Sequence, residues 1–207
     1  MQCKQSHLSM GSRFRGNDWR YNLSMSQLPI EQLEPAGFSD FLLYLNDHLS
    51  DNGRGDTAYF QPLPRDESRF PADKAEAFQA GLRTPLGTPG WRRVWVARDA
   101  DGRIAGHIDL RAHPERHAAH RCLLGMGVDR DFRKHGLGQR LIAHAAHWAR
   151  DAAGLAWIDL QVLSVNTPAI SLYQRSGYVR TGEIPDMFLI DGERFAYTSM
   201  SKRLDNN

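Results

Sequence analysis

The chain of 207 residues holds only two cysteines, Cys3 and Cys122. Two thiols so far apart make neither a zinc spacing nor a disulfide framework. That excludes a disulfide-stapled secreted scaffold and favours a reducing, cytoplasmic setting. Long apolar runs are also missing: none reaches the roughly 18 residues that a membrane helix needs. The N-terminus lacks the apolar centre of a secretory signal. Charge of one sign is scarce too, because 26 Lys and Arg face 24 Asp and Glu for a net +2. The basic residues are spread rather than clustered, which excludes a dominant nucleic-acid surface. No internal repeat and no low-complexity tract is present.

What remains describes a globular domain. The hydrophobic share of 41% supports a real core, and the length fits one domain. Cys122 lies in the apolar run Cys122-Leu123-Leu124-Gly125-Met126-Gly127-Val128 and reads as a buried small hydrophobe. Nine histidines are present. His113, His117 and His120 gather at a hairpin loop without a carboxylate partner, so a solvated loop is favoured over a metal site. His144 and His147 sit at i and i+3 of a helical stretch, where packing or surface positions explain them.

Residues 1–24 differ from the rest: they are polar and show no period. Two readings stand, an overextended gene start with Met25 as the better initiator, or a flexible arm. The domain is expected over 25–207. Helical spacing of Phe38, Phe41, Leu42 and Leu45 predicts a helix over 34–50. Asn52-Gly53, Gly55, Pro62 and Pro64 predict a loop over 51–64. Pro71 starts a second helix over 73–82. Strands follow at 93–98 and 104–110 around the turn Asp99-Ala100-Asp101-Gly102, then at 122–128. A helix at 137–152, a strand at 157–162, a helix at 168–176 and a hairpin around Asp191-Gly192 complete the order. A first strand is expected near 26–32. The order reads ααβββαβαββ, an α/β (α+β) mixed sheet.

The stretch most informative about chemistry is Arg133-Lys134-His135-Gly136-Leu137-Gly138, between a strand and a helix. Glycines let a backbone approach a ligand closely. A helix start offers outward N–H groups and the positive end of the helix dipole, so a diphosphate is the expected ligand. The spacing Arg-x-x-Gly-x-Gly differs from an ATP P-loop and lacks the third glycine of a dinucleotide fold. Downstream come the alternating run Trp157 to Val162, then Asn166, Pro168, Leu172-Tyr173 and Gly177-Tyr178. Together these two segments resemble the GNAT superfamily, the Gcn5-related N-acetyltransferases. The resemblance covers residues 91–200 well and 26–90 loosely.

The resemblance implies a central, mostly antiparallel sheet splayed at strands 4 and 5 and flanked by helices. It implies acetyl-CoA as acyl donor, no metal, and a small-molecule or peptide amine acceptor attacking the thioester directly. The backbone of Arg133, Lys134, His135, Gly136, Leu137 and Gly138 would hold the pyrophosphate, with side-chain charge from Arg133 and Lys134. Met126, Gly127 and Val128 would pair with the pantetheine, Asn166 would bond that arm, and Tyr173 would protonate the leaving thiolate. Many members place a Glu on the strand before the turn. Here that strand reads Arg121 to Gly127 without one. His107, Asp109 and His120 are the neighbouring candidates for a base, and proton loss through water is the default. Homodimers are common in the superfamily. The loops bring Asp51, Asp56, Asp66 and Glu67, which could draw a cationic amine. The alternatives are a catalytically silent acyl-CoA-binding sensor or interaction domain, another acyl donor, or an oxygen acceptor.

Overall fold

A computed structural model describes residues 28–204. The readings of segment 1–24 and of Cys3 lie outside the described residues. The chain forms β1 (Ile30–Gln32), α1 (Phe38–Leu49), α2 (Ala72–Arg83), β2 (Arg92–Arg98), β3 (Ile104–Ala112) and β4 (Arg121–Val128). It continues with α3 (Leu137–Asp151), β5 (Trp157–Leu163), α4 (Thr167–Arg175), β6 (Val179–Ile190) and β7 (Glu193–Arg203). The expected order is therefore present, including a first strand.

Seven strands form one sheet in the order β1-β2-β3-β4-β5-β7-β6. Every pairing is antiparallel except β4 with β5. That parallel pairing covers only Arg121–Trp157, Cys122–Ile158 and Leu123–Asp159. Beyond Leu123 the two strands diverge, and a wedge opens in the middle of the sheet.

Each face of the sheet buries a different layer. On one face, Cys122, Leu124, Ile158, Leu160 and Met200 pack with Leu137, Leu141, Ile142, Ala145 and Ala149 of α3. Those α3 positions recur at helical spacing, so one stripe of the helix is apolar. On the other face, Val94 and Val96 of β2 meet Phe38, Phe41, Leu45 and Leu49 of α1 and Phe78 and Leu82 of α2. Tyr59, Leu163, Ile190 and Phe195 form a third, smaller cluster beside the β6–β7 hairpin.

The hairpins follow their turn chemistry. Asp99 Oδ1 accepts from the amides of Asp101 and Arg103. Asp191 and Gly192 take φ +49° and +81°, the left-handed pair that a two-residue hairpin loop requires. The one large difference from the sequence reading is β6. Only Phe188 to Ile190 looks strand-like in sequence, yet the strand begins at Val179. Its register shifts between Arg180 and Gly182 and between Ile184 and Phe188. Pro185 falls in the second irregularity, on an edge strand, where a missing N–H costs no ladder bond.

Candidate acyl-donor and acceptor site

The β4–β5 wedge is lined by the free edge of β4. Asp129 N donates to Ala105 O at 3.0 Å, which fixes the antiparallel register with β3. Hydrogen-bonded pairs alternate in such a ladder, so Gly127–His107 and Gly125–Asp109 are bonded pairs. Met126 and Val128 consequently turn their N–H and C=O groups toward the wedge. Gly127 turns its own toward β3, so of the three expected residues it differs in role. It matters by lacking a side chain: a Cβ there would come within 2.6 Å of His48 Nε2 and 2.8 Å of His107 Cε1.

The turn after β4 lies at the mouth of the wedge. Lys134 and Gly136 adopt φ +66° and +79°, and Gly136 is the N-cap of α3. No backbone hydrogen bond among the described residues engages the amides from Arg133 to Gly138. Successive N–H groups in a turn with left-handed residues form an anion-binding concavity. Lys134 and His135 are exposed. The Arg133 side chain turns away instead: its Nε donates to Val128 O at 3.1 Å and its guanidinium meets Asp51 at 3.3 Å. Any phosphate contact by Arg133 falls to its amide, and the charge expected from it is spent on Asp51. Leu137 and Gly138 are buried. A Cβ on Gly138 would sit 2.9 Å from Leu172 Cδ2, which shows how closely α4 approaches the start of α3.

That approach carries Tyr173 to the wedge. Tyr173 is buried against Tyr178, ring centres 5.6 Å apart. Burial, then the nearby Tyr197 and Asp109, push its phenol above the ordinary tyrosine value. Its hydroxyl makes no hydrogen bond to another described residue and is not fully enclosed. Asn166 is the N-cap of α4, its Oδ1 accepting from Ala169 N at 3.3 Å. No described residue engages its Nδ2.

On the opposite side of Gly125 and Gly127 lies a polar cluster that sequence order scattered. The Tyr44 hydroxyl on α1 is 3.1 Å from His107 Nδ1 and donates to Gly127 O at 3.4 Å. His48, one helical turn on, is buried with Nδ1 unpaired. Burial lowers His48 to about 3, with His107, Arg133 and Arg130 adding to it. Burial also lowers His107 to about 4. Asp109 is buried beside Arg92 and Arg111. Burial alone would raise its carboxyl, but the two guanidinium groups outweigh that and hold it below the usual range. Of the three candidates for a base, His107 and Asp109 thus face this side. His120 stands just ahead of β4's paired end, about 23 Å from Gly127 at ~3.3 Å per residue. Among the described residues, no group of three His, Cys, Asp or Glu could hold a metal, and His113 and His117 stay in their loop.

The segment between α1 and α2 walls this side. Asn52 is fully buried and organises it. The two N–H groups of its Nδ2 are shared among Gln61 O, Leu63 O and Ser68 Oγ at 3.0–3.1 Å. Its Oδ1 accepts from Phe60 N and Gln61 N. Asp191 in the β6–β7 turn then ties the segment down through the Tyr59 hydroxyl and Arg65. Asn52→Ala should cost about 3 kcal/mol in urea unfolding, because it orphans buried amides and carbonyls. A loss under about 1 kcal/mol would mean that other contacts hold the loop.

Against this geometry, the profile of the acetyltransferase (GNAT) family matches residues 59–178. The chain belongs to the acetyltransferase (GNAT) family. It is similar to the streptothricin acetyltransferase of Streptomyces lavendulae, 34% identical over 114 residues, 52% of this chain and 57% of that protein. It is similar to the mycothiol acetyltransferase of Pseudarthrobacter chlorophenolicus, 32% identical over 127 residues, 60% of this chain and 37% of that one. The GNAT chain thus spans less than two thirds of either relative. In fold it matches a GNAT acetyltransferase structure from Streptococcus pneumoniae with a TM-score of 0.70 and 24% identity, over 86% of this chain and 99% of that one.

Proposed function

We propose that this GNAT chain is an acetyl-CoA-dependent N-acetyltransferase. It moves an acetyl group to a primary amine by direct attack with both substrates bound. The observation that carries this reading is the wedge: a free β4 edge, unclaimed amides at its mouth and a protonated phenol on its far wall. Residues 25–207 act as one domain, and no metal takes part. The reading includes a cytoplasmic bacterial setting, which the free buried thiol of Cys122 supports. No helix among the described residues is long and apolar enough to cross a membrane.

The residues fit the donor. The turn amides of Arg133, Lys134, His135, Gly136, Leu137 and Gly138 hold its diphosphate. Met126 offers N–H and C=O to the pantetheine arm as an added strand would, and Val128 offers its N–H. Asn166 Nδ2 bonds the same arm. Acetyl-CoA supplies an activated carbonyl and a thiolate leaving group. A backbone N–H of β4 polarises the carbonyl oxygen as charge develops there. Tyr173 gives the thiolate its proton, and burial keeps that proton available. No side chain here suits a strong base: Asp109 is held ionised by two arginines and the two imidazoles are held neutral. The acceptor ammonium therefore loses its proton to water.

Thermal shift with acetyl-CoA, CoA and ATP tests the donor. Stabilisation of about 2–3 kcal/mol is expected from either CoA compound at 100 times its Kd, and little from ATP. Absence of any shift with both CoA compounds would refute the reading.

A further inference from the structure

The acceptor side of the wedge has an unequal charge count. Arg92 NH1 and Arg111 NH1 meet the same oxygen, Asp109 Oδ1, at 3.2 and 3.3 Å. One carboxylate serves two guanidinium groups, so one positive charge is left over. Arg92 is the buried partner, its guanidinium 3.9 Å above the Phe78 ring of α2. Arg111 is the open one. Its side chain is 34% exposed, and among the described residues its Nε and NH2 donate to nothing. The surplus charge therefore sits at Arg111.

Beside it, on the buried Asp109 side chain, the second carboxylate oxygen Oδ2 is unspent. It takes no hydrogen bond from a described residue and is not fully enclosed. It lies over Gly125, where any Cβ would collide with it. The other carboxylates around this face are spent. Asp159 is held by Arg121 at 2.5 Å and by the Ser201 hydroxyl. Asp51 serves Arg130 and Arg133, and Asp191 serves Arg65 and Tyr59. Tyr197 stands within electrostatic reach of both Arg111 and Tyr173. The Asp109 carboxylate and the open Arg111 guanidinium thus lie side by side, with Tyr173 within electrostatic reach of Asp109.

We infer that the acceptor is an α-amino acid or a close analogue, with a carboxylate on or next to the carbon that bears its amine. This rests on the transferase reading above. Arg111 binds the carboxylate through its outer N–H groups, a fork that suits two oxygens. Asp109 Oδ2 orients the amine until water takes its proton. A long diamine does not match two opposite poles this close together, and its second cation would meet Arg111.

The test uses the whole chain with acetyl-CoA, reading thiol release. The acceptors are common α-amino acids, their amides, and diamines of equal length. At least one acid should exceed its amide in kcat/KM by about tenfold or more, the worth of a charged hydrogen-bonded pair. Arg111→Gln should raise KM for that acid about tenfold and erase the preference, with KM for acetyl-CoA unchanged. Arg111→Lys should recover part of it, and an intact acetyl-CoA thermal shift shows that each variant is folded. Amides or diamines matching the acids, transfer to no acid by protein that acetyl-CoA stabilises, or a preference that survives in Arg111→Gln would each overturn the inference alone. No acetyl-CoA shift and no thiol release with any amine would overturn the transferase reading instead.

Discussion

Tyr173→Phe should slow thiol release about 100-fold or more and leave acetyl-CoA affinity within about twofold. The expectation follows from what the hydroxyl does not do. It bonds to no other described residue, so its removal orphans no partner. The ring stays, and with it the contact to Tyr178. Only the proton is lost, and a leaving thiolate needs that proton in the transition state alone. Burial, with Tyr197 and Asp109, raises the phenol above its ordinary value near 10. The alkaline limb of the rate profile should therefore not fall at the usual tyrosine position. A variant that keeps more than a third of the parental rate would assign the proton to water and leave Tyr173 a packing role.

The second large effect is on stability in acid. An unfolded imidazole takes up a proton near pH 6.5, while folded His107 waits until about 4 and His48 until about 3. Between those values only the unfolded chain binds the two protons, so stability falls as the pH falls. From pH 7 to pH 5 each histidine should remove about 2 kcal/mol, and the pair about 4 kcal/mol. Asp109 acts lower on the scale. Its depressed carboxyl contributes above the unfolded value near 3.8, and that contribution goes only as the pH drops through its folded value. Urea unfolding at pH 7 and pH 5 checks the difference. His48→Phe should shrink it by about half, since a phenyl ring can keep the tilted ring contact with Phe60 and has no proton to gain. A difference under about 1 kcal/mol in the parent would show both imidazoles already solvated.

The proposed donor half can be laid out along the sequence because it is local. Arg133 to Gly138 is one turn, Asn166 caps one helix, and Tyr173 lies one short helix further on. Apart from the Arg133 side chain, which meets Asp51, and the approach of Leu172 to Gly138, their contacts lie within a few residues. The acceptor half is not local. Tyr44 and His48 come from α1, Arg92 from β2, Asp109 and Arg111 from β3, and only the sheet register sets them around Gly125 and Gly127. The missing Glu of β4 signals a departure but not its reason. The reason is steric: a side chain at 125 or 127 would displace Asp109 or His48. Arg133 misleads in the other direction, because its motif suggests a phosphate ligand while Asp51, far upstream, claims its charge. In β6, Gly182, Pro185 and the left-handed Asp186 hide a strand whose irregular register follows from being paired along one edge only.

The place of β7 in the sheet has a consequence for how the molecule assembles. It is the last strand among the described residues, yet it lies inside the sheet, between β5 and β6. β6 has no other sheet neighbour, and the wall formed by Tyr59, Phe195 and Asp191 hangs on the same hairpin. During synthesis the donor wedge can therefore form from β4, α3 and β5 while the acceptor wall still waits for residues past Glu193. Tyr44, His48, Arg92, Asp109 and Arg111 all precede β4 in the chain, so on the acceptor side it is this wall alone that waits for β7.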